Sequence, residues 1–110
     1  MGVEQIFARV RTGDREALGL LYDVLGSRVY GVALNALNGV GPAAEVTTDV
    51  FVELWRRAPN LRLPAGALAP WVMLDAHRRA VKRRASGVGR WRETSRADGS
   101  AASDELDRPW

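Results

Sequence analysis

The sequence predicts an all-α fold, a small bundle of about four helices. Three observations carry that prediction. Apolar residues recur three and four apart along most of the stretch from Val3 to Arg84. Gly, Pro and Asn gather between those periodic stretches, where breaks are needed. No segment alternates apolar and polar residues as a half-buried strand does. With 110 residues, 46% of them hydrophobic, the chain suits one modest core.

Val3 to Arg11 reads as a short amphipathic helix with Val3, Ile6, Phe7 and Val10 on one side. Thr12-Gly13 ends it, and Asp14 is placed to cap the next helix. That second helix carries Leu18, Leu20, Leu21, Tyr22, Val24 and Leu25. Gly26-Ser27 interrupts it as a kink or a break, after which Val29, Tyr30, Val32, Ala33, Leu34 and Leu37 resume the pattern. Asn38-Gly39-Val40-Gly41-Pro42 is a stop. The third helix runs from Ala43 to Arg57, burying Val46, Val50, Phe51, Leu54 and Trp55. Glu45, Asp49 and Glu53, four apart, make an acidic stripe on another side. Ala58 to Ala69 is a loop rich in Pro and Gly. The last helix, Pro70 to Arg84, opens on a Pro at its first position. Trp71, Val72, Leu74, Ala76, Ala80 and Val81 form its apolar side. Residues 1–86 are therefore expected to form the domain. Residues 87–110, rich in Gly, Ser, Ala and mixed charge, are expected to form a flexible linker or tail.

The net charge of +3 is unevenly spread. Residues 1–75 hold seven Arg and eight acids, residues 76–92 hold seven bases and no acid, and residues 93–110 hold two Arg and five acids. A dense cationic block after a near-neutral body points to a polyanionic partner. A solvated helix end running into a charged linker gives the same pattern. The chain has no Cys, and His77 is its single His, which excludes disulfides, thiolate chemistry and multi-histidine metal sites. No nucleophile–base constellation or Gly-rich phosphate loop is present, so neither an enzyme nor a cofactor is expected. No stretch approaches the roughly 20 apolar residues of a membrane span. Charges at Glu4, Arg9 and Arg11 interrupt any signal-peptide pattern. A cytoplasmic protein with no membrane attachment is the expectation.

Three blocks in this order, LYDVLGSRVYGVALNAL, AEVTTDVFVELWRRAP and ALAPWVMLDAHRRAVKRR, resemble the promoter-melting domain, region two, of bacterial extracytoplasmic-function (ECF) sigma factors. The resemblance covers residues 3–86 and implies a sigma-70 region 2-like bundle. It also implies core RNA polymerase as a partner, bound through the clamp helices of the largest subunit. Matched onto the family motif, Glu45, Thr48 and Asp49 fall at polymerase-contact positions, with Glu53 continuing the stripe. Carboxylates at helical spacing suit a basic coiled coil. The loop Asn60–Ala69, with Asn60 and Arg62, would hold a base flipped from the non-template strand of the minus-ten promoter element. Trp71, His77, Arg78, Arg79, Lys82, Arg83 and Arg84 would line or follow the melted strand, as single-strand capture needs cations and flat stacking surfaces. An anti-sigma factor is a further implied partner.

The chain departs from the family pattern at Thr48, where Gln is usual, at Asp75, where an apolar residue is usual, and at Lys82, where Asp is usual. A carboxylate at position 75 calls for pairing with Arg78 or Arg79. Other readings stay open on the residues alone. Trp55 and Trp71 continue apolar faces and read on the residues as core positions, with stacking platforms the alternative. The acidic stripe is also what an ordinary solvated helix side looks like. Two alternative functions follow: a degenerate sigma-like interaction module, acting as a decoy or an anti-sigma target without promoter activity, and a generic basic helical DNA-binding protein.

Overall fold

The first two helices are joined by the tight connection that Thr12-Gly13-Asp14 encodes. Gly13 takes φ of +89°, a left-handed conformation that reverses the chain at low cost only for Gly. Asp14 then caps the second helix, its Oδ1 accepting from the Ala17 N–H at 3.2 Å. The computed structural model describes the backbone of residues 2–98 and the side chains of residues 2–86. Among these residues there are four α-helices and no strand: α1 (Val3–Arg11), α2 (Arg15–Leu37), α3 (Val40–Arg57) and α4 (Leu68–Asp98), with a 3₁₀ turn at Ala58–Asn60. The all-α bundle expected from the periodicity is the fold observed.

The central helix is α2, which packs against each of the other three. Ala17, Leu21, Leu25, Val29 and Ala33, spaced by four, form a fully buried row along it. Leu68, Val72, Ala76 and Ala80 form the equivalent row on α4. Small residues on both rows let the helix backbones approach closely. From α3 the core receives Ala43, Val46, Thr47, Val50, Phe51 and Leu54, and from α1 it receives Ile6, Phe7 and Val10. The Thr47 hydroxyl, buried among these, donates to the Ala43 carbonyl at 2.8 Å, so its polarity is satisfied within the helix.

Five details differ from the sequence expectation. First, α2 is continuous through Gly26-Ser27. Gly26 is buried, and a Cβ there would meet the Tyr22 ring at 3.3 Å. The ring lies close over this Gly, and the helix runs on through it without a break. Second, α3 begins at Val40, not Ala43. The stop is confined to Asn38, left-handed at φ 52°, and Gly39, and Pro42 fits the first turn, where its missing N–H has no helical acceptor. Third, α4 begins at Leu68, so Pro70 is a first-turn rather than first-position residue. Its backbone stays helical to Asp98, past Ser86; the side chains of the expected tail and all of residues 99–110 lie outside the described residues. Fourth, Leu74 and Val81 are each 48% exposed. They lie about 180° around the helix from Val72 at 100° per residue, so they fall outside the buried row. Fifth, by length and composition α2 is apolar enough to cross a membrane, contrary to the expectation that no stretch is. In this fold one row of it, Ala17 to Ala33, builds the centre of the bundle, while Leu20, Tyr22 and Val24 stay exposed.

Candidate functional site

The candidate site is the seam where α3 runs beside the cationic part of α4. On α4, Arg79, Lys82 and Arg83 sit three and four apart, on one side of the helix. On α3, Glu45 and Asp49 sit four apart and face them. An open groove of about 360 Å³ between the helices is lined by Val46, Asp49, Arg79, Lys82, Arg83 and Ser86. Arg83 forms an ion pair with Glu45, tying α4 to α3 across 38 residues of sequence. Asp75 is paired, as its position demanded, with Arg79, whose Nε donates to Asp75 Oδ2 at 2.9 Å. Glu53 accepts from Arg56 at 3.0 Å along its own helix.

The acidic stripe and the cationic end are therefore neighbours, not separate surfaces. Thr48 and Asp49 are exposed on α3, and the Thr48 hydroxyl donates back to the Ala44 carbonyl at 3.1 Å. Arg78 and Lys82 are exposed and form no ion pair among the described residues. Arg84 reaches back to the end of α2, where its Nη1 donates to the Ala36 carbonyl at 3.5 Å. That contact places a cation at the negative end of the α2 dipole.

The loop residues lie at the other end of the α3–α4 connection. Asn60 closes the 3₁₀ turn and is exposed, and Arg62 is exposed with its Nη1 donating to the Pro59 carbonyl at 3.1 Å. Trp71 is half-buried against the core, and the Arg57 guanidinium lies over its ring at 5.3 Å from the centroid. Trp55 is also half-buried against the core, so both rings take part in the core. His77 is exposed and borders an open groove of about 270 Å³ with Val32, Asn35 and Ala36 of α2. The structure thus brings Glu45, Asp49, Arg79, Lys82 and Arg83 together. It sets Asn60, Arg62 and Trp71 apart from them, towards the first turn of α4. Sequence reasoning missed Arg57, whose partner ring was visible only as a Trp, and Glu4, whose Oε1 accepts from the loop amide of Gly66 at 2.7 Å.

No protein-family model matches the chain. Curated proteins do. It is 34% identical over 90 residues to the ECF RNA polymerase sigma factor SigK of Mycobacterium ulcerans (strain Agy99), a match covering 81% of this chain and 48% of that protein. To SigK of Mycobacterium bovis (strain BCG / Pasteur 1173P2) it is 35% identical over 92 residues, covering 83% and 49%. To SigK of Mycobacterium sp. (strain KMS) it is 36% identical over 81 residues, covering 74% and 42%. The chain is a homologue of the ECF sigma factors. It spans about half the length of these relatives. The all-helical order agrees with the region-two resemblance of residues 3–86, and the α3–α4 seam joins two of its three blocks, AEVTTDVFVELWRRAP and ALAPWVMLDAHRRAVKRR.

Proposed function

We propose that this chain is a sigma-factor region-two domain, which binds core RNA polymerase through α3 and captures the non-template strand of a minus-ten promoter element through the 60–69 loop and α4. The observation that carries the reading is the seam itself. A carboxylate row on one helix lies against a cationic row on the next, in a chain homologous to sigma factors over four-fifths of its own length. Glu45, Thr48, Asp49 and Glu53 supply the face for the largest-subunit clamp helices. Arg78, Lys82 and Arg84 supply phosphate contacts, with Arg79 and Arg83 held in reserve by Asp75 and Glu45. Asn60 and Arg62 flank the captured base, and Trp71 and His77 border the strand's path. Residues 1–86, the sigma region-two-like domain of this reading, carry these contacts. The protein works in the cytoplasm, does no bond chemistry, and is open to control by an anti-sigma factor.

The ion pairs on Arg79 and Arg83 favour one other reading, a sigma-like module whose cations serve the fold and which acts as a decoy. Pull-down of core polymerase, followed by binding of single-stranded and duplex minus-ten DNA, separates the two. The sigma reading expects polymerase capture and preference for the single strand. Polymerase capture with no preference for minus-ten strands at any salt sinks it in favour of the decoy. Duplex binding without polymerase capture leaves only a generic basic DNA-binding helix.

A further inference from the structure

The 60–69 loop is held at three points. Leu61 and Leu68 are buried at its two ends, and Leu63 packs half-buried against the core. Between them Arg62, Pro64, Ala65 and Gly66 are exposed. Pro64 to Ala67 forms a turn in which the Ala67 N–H donates to the Pro64 carbonyl at 3.0 Å. Gly66 takes φ of +81° at the third position, where a type II turn demands it. This geometry leaves the Gly66 amide free of the turn's own hydrogen bond, and it donates instead to Glu4 Oε1 at 2.7 Å, 62 residues away. Glu4 sits in the first turn of α1, a helix that packs on α2, on the 3₁₀ turn and on α4. The contact therefore fastens an exposed turn to a rigid element.

We infer that Glu4 is a positioning residue for base capture: its carboxylate fixes the Pro64–Ala67 turn in the attitude in which the loop receives the flipped base. The inference rests on the reading that residues 60–69 take that base. A turn ordered before binding spends less entropy when the base arrives, and the gain goes to the base that fits. Arg62 and Asn60 lie just upstream of the fastened turn, so their reach is set by it.

The test uses the full chain, as wild type, Glu4→Ala and Glu4→Gln, with circular dichroism to confirm equal helix content. Fluorescence anisotropy measures binding to short single strands in which each position of a minus-ten-length sequence carries each base in turn. Glu4→Ala should lose about three- to tenfold of the discrimination between best and worst base, the range one hydrogen bond supports, with an unchanged salt slope. Glu4→Gln keeps an oxygen acceptor and should keep the discrimination. Hydrogen exchange at the Gly66 amide should accelerate in Glu4→Ala and stay near wild type in Glu4→Gln. If the wild type discriminates and Glu4→Ala discriminates equally, the positioning role is overturned while the loop reading stands. If the wild type discriminates no base at any position, the loop reading falls and the role of Glu4 falls with it.

Discussion

Replacing Glu45 with Gln tests how the seam divides its cations between fold and DNA. Of the five cations from Arg78 to Arg84, Arg79 is held by Asp75 and Arg83 by Glu45. Arg78, Lys82 and Arg84 have no carboxylate partner among the described residues. If each of these three neutralises one phosphate, log affinity for a single strand should fall with log salt at a slope of about −2, from roughly −0.7 per contact. Glu45→Gln frees Arg83 as a fourth contact and should steepen the slope to about −3 by the same rule. The pair is well exposed, 37% at Arg83 and 61% at Glu45, so releasing it costs the fold at most about 1 kcal/mol. Affinity at low salt should therefore rise. The assay is anisotropy of a labelled minus-ten strand between about 50 and 200 mM salt, the range over which such slopes are read. Arg83→Ala in the wild-type background should leave the slope near −2, whereas in the Glu45→Gln background it should restore the slope from about −3. An unchanged slope in Glu45→Gln, or a wild-type slope already near −3.5 with all five cations engaged, would refute the division.

Asp49→Arg should abolish capture of core polymerase with helix content unchanged, since Asp49 is exposed on α3 and in no ion pair among the described residues; retained capture removes α3 as the docking helix. Leu25→Ala should destabilise the bundle by about 3 kcal/mol in denaturant unfolding, because Leu25 is fully buried at the centre of α2 and its removal leaves a cavity. Asp14 has a carboxyl held below its ordinary value of 3.8, chiefly by the hydrogen bond from Arg9 and then by the Ala17 amide. Its stabilising contribution is present above pH 3.8 and is lost as pH falls below that value through the lowered one. Asp14→Asn should accordingly flatten the acid limb of the stability profile below pH 4, as seen by thermal melts.

The rows that build the core were legible because they repeat within one helix. Val72, Ala76 and Ala80 are four apart, as are Leu21, Leu25 and Val29, and local spacing alone assigns them to one face. Leu74 and Val81 misled for the same reason in reverse. They are apolar and at helical spacing, but seven apart on the outward side, and composition does not distinguish that side when half of the inward row is Ala. The breaks were legible to within a turn. Gly26-Ser27 reads as an interruption in any single sequence, since the closeness of the Tyr22 ring over Gly26 is a matter of rotamer and not of pattern. The Asp75–Arg79 pair was legible at a spacing of four.

What could not be read are the contacts that join distant segments, Glu45 to Arg83 and Glu4 to Gly66, and these change the functional argument most. On sequence, the acidic stripe and the cationic end look like two independent faces for two partners. In the fold they share a border, and one residue of each face neutralises the other. A basic coiled coil docking on α3 would compete with Arg83 for Glu45. Every contact it takes would turn Arg83 outward as a phosphate ligand. On the proposed function, polymerase docking and strand capture would then be linked through a single ion pair, and because linkage is reciprocal, strand binding would favour polymerase binding by the same factor. An exposed pair worth at most about 1 kcal/mol limits that factor to about fivefold. The measurable consequence is that Glu45→Gln should remove the mutual enhancement while raising the strand affinity of the free domain. A full enhancement persisting in Glu45→Gln would place the linkage elsewhere in the bundle.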